Sequence, residues 1–162
     1  MRDIHCHILP GVDDGARDLS ASLEMLEAAK AAGVTSIVCT PHCRDPYFDF
    51  DRMWNAFHEL QAHAGGFPLQ MGFEVAHPKL LELGIEQWAP HLCFDGSNEF
   101  LLELEPNCTE RDFQDYERTI FELQGMGLTV IIAHPERYRA IQNNIEIAER
   151  LLRQGCILQA SA

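Results

Sequence analysis

Two histidines one residue apart, His5 and His7, stand in the opening segment Asp3-Ile4-His5-Cys6-His7, and the chain then runs through Pro10-Gly11-Val12-Asp13-Asp14-Gly15. On a β-strand alternate side chains leave the same face, so the two imidazoles project together, about 7 Å apart along the strand. Paired neutral imidazoles suit Zn, Mn, Fe or Ni, and nearby carboxylates can add oxygen ligands or act on water polarised by the cation. The plain alternative is a doublet of half-buried or surface histidines. Asp14 sits in a Gly-flanked turn, where it either forms the turn or gives a proton to a leaving oxygen.

Further donors follow. His42 ends Thr40-Pro41-His42, and Glu74 lies inside the apolar run Gly72-Phe73-Glu74-Val75. An unpaired charge there is costly to bury, a cost that metal coordination relieves; a solvent-facing edge strand is the other explanation. Glu103 and Glu105 share a strand face in Leu101-Leu102-Glu103-Leu104-Glu105. Glu103 is the deeper and the preferred ligand, while Glu105, before Pro106, belongs to the mouth or the loop. His134 tips the buried run Ile131-Ile132-Ala133, and Arg137 follows in Pro135-Glu136-Arg137-Tyr138. An arginine fork beside metal fits the oxygens of a phosphate. Glu136 either orients Arg137 or is an exposed loop charge. His58, His63, His77 and His91 read as bystanders, His77 being the one nearest a candidate ligand.

Strand and helix signals alternate along the chain. Strands are expected at 3–8, 35–39, 69–75, 100–104, 129–133 and from Cys156 to Gln159. Helices are expected from Leu19 until Gly33 ends the run, at 51–63, at 78–83, from the Thr109/Asp112 capping signature to Gly125, and from Asn144 to near Gly155. Such alternation implies a parallel sheet covered by helices. His42, Glu74, Glu103 and His134 recur at strand ends, the pattern of a barrel-type active site built at one end of its strands. No linker or internal repeat divides the chain, so one domain over residues 1–162 is expected.

The 162 residues carry a formal net charge of −13, which argues against non-specific nucleic-acid binding, since that needs basic surface. Val130–Ala133 is the longest apolar stretch, far short of the ~20 residues of a membrane helix. The N-terminus runs directly into an acidic, histidine-bearing strand and not into a secretory leader, so a cytoplasmic location is expected. Six scattered cysteines without C-x-x-C spacing read as reduced thiols. A cysteine phosphatase needs an arginine about six positions beyond its thiolate; those positions here hold Val12, Asp45, Asp49, Glu99, Gln114 and Ala162. No G-x-S-x-G, P-loop or dinucleotide fingerprint is present.

The set HCHILPGVDDG, Thr40-Pro41-His42, Gly72–Val75, Leu101–Leu104 and Ala133–Tyr138, in this order and spacing, resembles the bacterial metal-dependent protein-tyrosine phosphatases of the polymerase and histidinol phosphatase (PHP) superfamily, associated with capsule and exopolysaccharide synthesis. The resemblance implies an α/β fold, a distorted (β/α)7 TIM-like barrel, with divalent metal ions at its mouth. Mn²⁺ is the expected ion, with Fe, Zn, Co or Ni as alternatives. By position, His5, His7, His42, Glu74, Glu103 and His134 match metal ligands, Asp14 a proposed acid/base residue and Arg137 a phosphate-binding arginine. The implied partner is the phosphotyrosine tail of a bacterial tyrosine kinase that controls polysaccharide export.

Members of that group continue through a further helix and strand to an Asp-x-His motif, where this sequence stops at Ala162. The expectation is a barrel lacking its last elements, whose open strand edges lower its stability or drive self-association. Two other readings remain at this level: a small-molecule phosphoesterase of the superfamily, resembling histidinol phosphatase, and a non-catalytic module that binds metal or phosphotyrosine.

Overall fold

The computed structural model describes residues 1–161. The chain divides into two compact units, Met1–Glu74 and Val75–Ala162. Each is an α/β arrangement of parallel strands, as the alternation of signals predicts.

In the first unit, β1 (Arg2–Cys6), β2 (Ser36–Cys39) and β4 (Leu69–Met71) form a parallel sheet in the order β1-β2-β4. Helix α1 (Leu19–Ala31) connects β1 to β2; the two-residue β3 (His42–Cys43) and helix α2 (Phe50–His63) lie between β2 and β4. Both helices begin on an aspartate whose side chain accepts a backbone N–H, Asp18 from Ala21 and Asp49 from Arg52. Gly33, at φ 84°, takes the left-handed turn that ends the α1 segment. Ile8, Leu9, Leu26, Ile37, Val38, Met53, Leu60 and Phe73 fill the core.

The second unit follows β5 (Glu74–Ala76) with helices α3 (His77–Leu83) and α4 (Ile85–Leu92). Strand β6 (Glu99–Glu103), helix α5 (Phe113–Gly125) and strand β7 (Thr129–Ala133) come next. A 3-10 turn (Pro135–Arg137), α6 (Arg139–Asn143), α7 (Glu146–Arg153) and β8 (Ile157–Gln159) complete it. The strand order includes β5-β6-β7-β8, with β6, β7 and β8 in parallel register. Phe100–Leu102 and Val130–Ala133 are buried on both faces, which is why they read as continuous apolar runs.

Several boundaries differ from expectation for identifiable reasons. The single strand expected at 69–75 is two strands, because the chain breaks at Gly72-Phe73 and Gly72 N–H bonds back to the Cys39 carbonyl. Helix α4 leaves little signal in the sequence because Pro90 lies inside it, where proline removes an i→i−4 hydrogen bond and reads as a helix breaker. The Thr109/Asp112 pair does bond, through Thr109 N–H and Oγ1 to Asp112 Oδ2, but it closes a turn over 109–112, and α5 starts only at Phe113. The helix expected from Asn144 is preceded by the short α6 and begins at Glu146. None of the described helices is long and apolar enough to cross a membrane.

Candidate metal centre

The end of β1 delivers His5 and His7, but not in ideal alternation: the register of β1 against β2 shifts between Asp3 and Cys6, and His7 lies just past the strand. The two rings tilt toward each other, with Nε2 atoms 3.3 Å apart instead of the spacing of a flat strand. Both nitrogens meet one carboxylate: His5 Nε2 lies 3.2 Å from Glu74 Oε1 and His7 Nε2 lies 3.2 Å from Glu74 Oε2. His42, at the start of β3, adds its Nδ1 at 2.8 Å from the same Oε2.

Glu74 is 1% exposed, so the solvent-facing alternative for it fails. Its position has a local cause. The preceding Phe73 is fully buried, stacked on Phe50 at 5.6 Å and edge-on to Phe48 at 6.3 Å, while the Glu74 N–H bonds to the Pro41 carbonyl. That aromatic packing and one backbone bond present the carboxylate to the histidines.

Donors bonded to one cation at about 2.0–2.2 Å stand about 3–3.5 Å from each other. The four residues therefore have the spacing and the mixed nitrogen and oxygen chemistry of a divalent transition-metal site, and His5, His7 and Glu74 form one candidate ligand group. His7, Asp14 and His42 form a second, overlapping one, with Asp14 Oδ1 at 3.3 Å from His42 Nε2. The Asp14 side chain is 54% exposed. Burial disfavours a charged His7, but its bonds to Asp13 and Glu74 outweigh this and push its pKa up to about 9.

Two residues of this unit were not singled out from the sequence. Asp13, its side chain without exposure, accepts from His7 Nδ1 at 2.8 Å and from the backbone N–H groups of His42 and Gly15, each at 3.0 Å. Arg44 places Nη2 3.0 Å from His42 Nε2 and 3.9 Å from Asp14 Oδ2. The Asp-Asp-Gly triplet hints at Asp13 only as a turn residue, and nothing marked Arg44.

The second unit holds the remaining candidates. Glu103 and His134 are buried at the ends of the adjacent strands β6 and β7, His134 Nε2 lying 3.8 Å from Glu103 Oε1. His134 takes φ 31° and ψ 60°, a left-handed conformation that L-residues adopt at a cost of about 1–2 kcal/mol and that turns the chain sharply at the strand tip. Arg137, 60% exposed, donates to Ser161 Oγ at 3.0 Å and stands 4.0 Å from Glu136 Oε1. Glu136 also accepts the Ser161 N–H, so it orders this loop more than it binds the arginine. Glu105 is exposed beyond β6, at the loop.

The structure gives the cysteines no activated environment. All six cysteines are free thiols; burial raises Cys93 and Cys156 to about 11 and, with the charges of Asp3 and Asp13, raises Cys6 to about 12. These are poor nucleophiles at neutral pH. His77 is no candidate ligand: its Nε2 pairs with Thr119 Oγ1 at 2.9 Å and its ring meets Tyr116 edge-on.

Fold and site together define a parallel α/β protein with a candidate metal site of histidines and carboxylates. The match to the family model for capsular polysaccharide synthesis, CpsB/CapC, runs over residues 1–162, and the chain belongs to that family. It is 33% identical to CapC of Staphylococcus aureus, 30% to the tyrosine-protein phosphatase YwqE of Bacillus subtilis and 29% to the tyrosine-protein phosphatase CpsB of Streptococcus agalactiae. Each alignment takes in the whole chain but only 64, 65 and 68% of the relative. Among solved structures, those of YwqE from Bacillus subtilis and CpsB from Streptococcus pneumoniae, described as metal-dependent tyrosine phosphatases, superpose with a TM-score of 0.81 at 28% identity. That superposition covers 99% of this chain and 66% of the other.

Proposed function

We propose that the chain carries the metal-dependent protein-tyrosine phosphatase chemistry of its family, directed at phosphotyrosine on bacterial tyrosine kinases that regulate capsular polysaccharide synthesis. The observation that carries the reading is the meeting of three imidazoles on one buried carboxylate, Glu74, with separations of 2.8 to 3.2 Å. A donor set so arranged accepts a divalent cation, here Mn²⁺ by preference. The family membership and the relatives' names support tyrosine phosphate as the substrate.

His5, His7, His42 and Glu74 would hold metal in the first unit, and Glu103 and His134 are the candidate ligands of the second. A divalent cation held there would supply Lewis-acid activation of water and of the phosphoryl group. The phenolate of tyrosine, with a pKa of about 10, leaves more readily if it receives a proton as the ester bond breaks. Asp14, exposed and beside His42, is the residue we assign to give that proton. Arg137 offers a planar pair of N–H donors to the phosphate oxygens, and its present partner, Ser161, is one that an anion displaces readily.

We further read the parallel strands as belonging to one distorted (β/α)7 barrel-type domain that acts in the cytoplasm, and self-association as the way its strand edges are covered. The test is phosphate release from a tyrosine-phosphorylated peptide by the purified chain, with and without Mn²⁺, beside His5→Ala. Metal-dependent release abolished by the substitution is the expected result. A folded, metal-loaded chain that releases no phosphate would refute catalysis by this chain.

A further inference from the structure

Asp13 is placed differently from its neighbour Asp14. Its side chain has no exposure, against 54% for Asp14, and its side-chain partner is His7. Oδ1 accepts the Gly15 N–H, and Oδ2 accepts both the His42 N–H and His7 Nδ1. A backbone N–H can only donate, so a donor bonded at each oxygen selects the ionised carboxylate, which can only accept. His7 Nδ1 must then carry a proton. A cation can therefore replace only the proton on Nε2, the atom that faces Glu74 Oε2 and His5 Nε2.

We propose that Asp13 is a positioning residue of the metal centre: its buried carboxylate fixes His7 as the tautomer protonated on Nδ1, with Nε2 turned to the cation, and ties the backbone of His42 to the same anchor. The inference rests on the metal reading of His5, His7, His42 and Glu74. It makes the Asp-Asp-Gly turn two devices in sequence, an inner carboxylate that aims two ligands and an outer one that faces solvent. Gly15 completes the arrangement, because its N–H supplies the bond at Oδ1 and any side chain on it would strike His7. Outer carboxylates on ligand histidines commonly change metal affinity about 10- to 100-fold when removed.

An asparagine at position 13 must turn its NH₂ toward one backbone N–H, whichever way the amide is set. Asp13→Asn should therefore weaken Mn²⁺ binding, and Asp13→Ala should weaken it more, by about 10- to 100-fold. The experiment is a calorimetric Mn²⁺ titration of wild type and both variants, with circular dichroism to confirm that they fold. It is joined by ring ¹⁵N spectra of the Zn²⁺-loaded wild type, which need no variant. The expected signature is a protonated Nδ1 on His7, with a proton protected from exchange that Asp13→Ala loses. A wild-type His7 protonated on Nε2, or a folded Asp13→Ala that binds Mn²⁺ as tightly as wild type, overturns the proposal. Wild type that takes up neither ion overturns the metal reading and this inference with it.

Discussion

Replacing Gly15 by alanine tests how the metal centre is built. A Cβ at that position would lie 2.1 Å from the His7 carbonyl oxygen and 2.5 Å from His7 Cβ, where real Cβ atoms essentially never come within 3.0 Å. The obstacle is backbone and the root of a side chain, so it cannot swing aside; the turn must retreat by about 0.9 Å or more. That movement breaks or stretches the bonds Ala16 N–H to His7 carbonyl (3.1 Å) and Gly15 N–H to Asp13 Oδ1 (3.0 Å). At about 1 kcal/mol for each bond, plus strain left in the turn, Gly15→Ala should cost about 2–4 kcal/mol. In a chain of this size that lowers the melting temperature by about 5–15 °C. Mn²⁺ affinity should fall at least about tenfold, because His7 moves with the turn. Gly125→Ala is the control: nothing lies within 4 Å of its Cβ, and at an exposed helix end alanine should be neutral or stabilise by up to about 1 kcal/mol. A Gly15→Ala protein that melts within about 2 °C of wild type and binds Mn²⁺ normally would refute the reasoning.

Three more outcomes are expected. Glu74→Gln keeps the shape but halves the acceptor capacity where three imidazoles meet, so Mn²⁺ uptake measured by calorimetry should drop by about 100-fold or more; unchanged uptake would remove Glu74 from the centre. Tyr138→Phe leaves the buried Leu104 N–H without the hydroxyl that accepts it at 2.9 Å, a loss of about 1–3 kcal/mol that a urea titration will read, and an unmoved midpoint would contradict it. Burial lowers the pKa of His77 despite the nearby charge of Asp115, so the unfolded chain binds a proton there more readily than the folded one. The stability this protects is complete above about pH 6.5 and is lost as pH falls toward the depressed folded value. Melting of wild type against His77→Gln at pH 7.5 and 5.0 should show the wild type losing more; parallel losses would count against it.

Relatives of known structure share this chain's fold over nearly its whole length at 28% identity, which fits a site that depends on a few residues held by an ordinary packed scaffold. A packed core tolerates hydrophobic exchange provided that volume and pattern persist.

By itself the sequence determined the candidate donors and the alternation of elements. His5 and His7 one residue apart, Glu74 amid apolar neighbours and His134 at the tip of a buried run are local patterns, because metal donors must sit at strand ends and buried charges need a reason. The strand 129–133 was read to the residue, since both of its faces are buried and nothing competes with the β-branched run. Only tertiary structure decided which donors meet. The approach of His42 to Glu74 spans thirty-two positions and depends on where β3 and β5 begin, and β3 is too short to leave any periodic signal. The division between Asp13 and Asp14 was hidden for a similar reason: two identical side chains in one turn are separated only by which of them the fold buries against His7. Local propensity acts over a few residues, whereas burial and the bonds it compels are set by chain segments far apart in sequence.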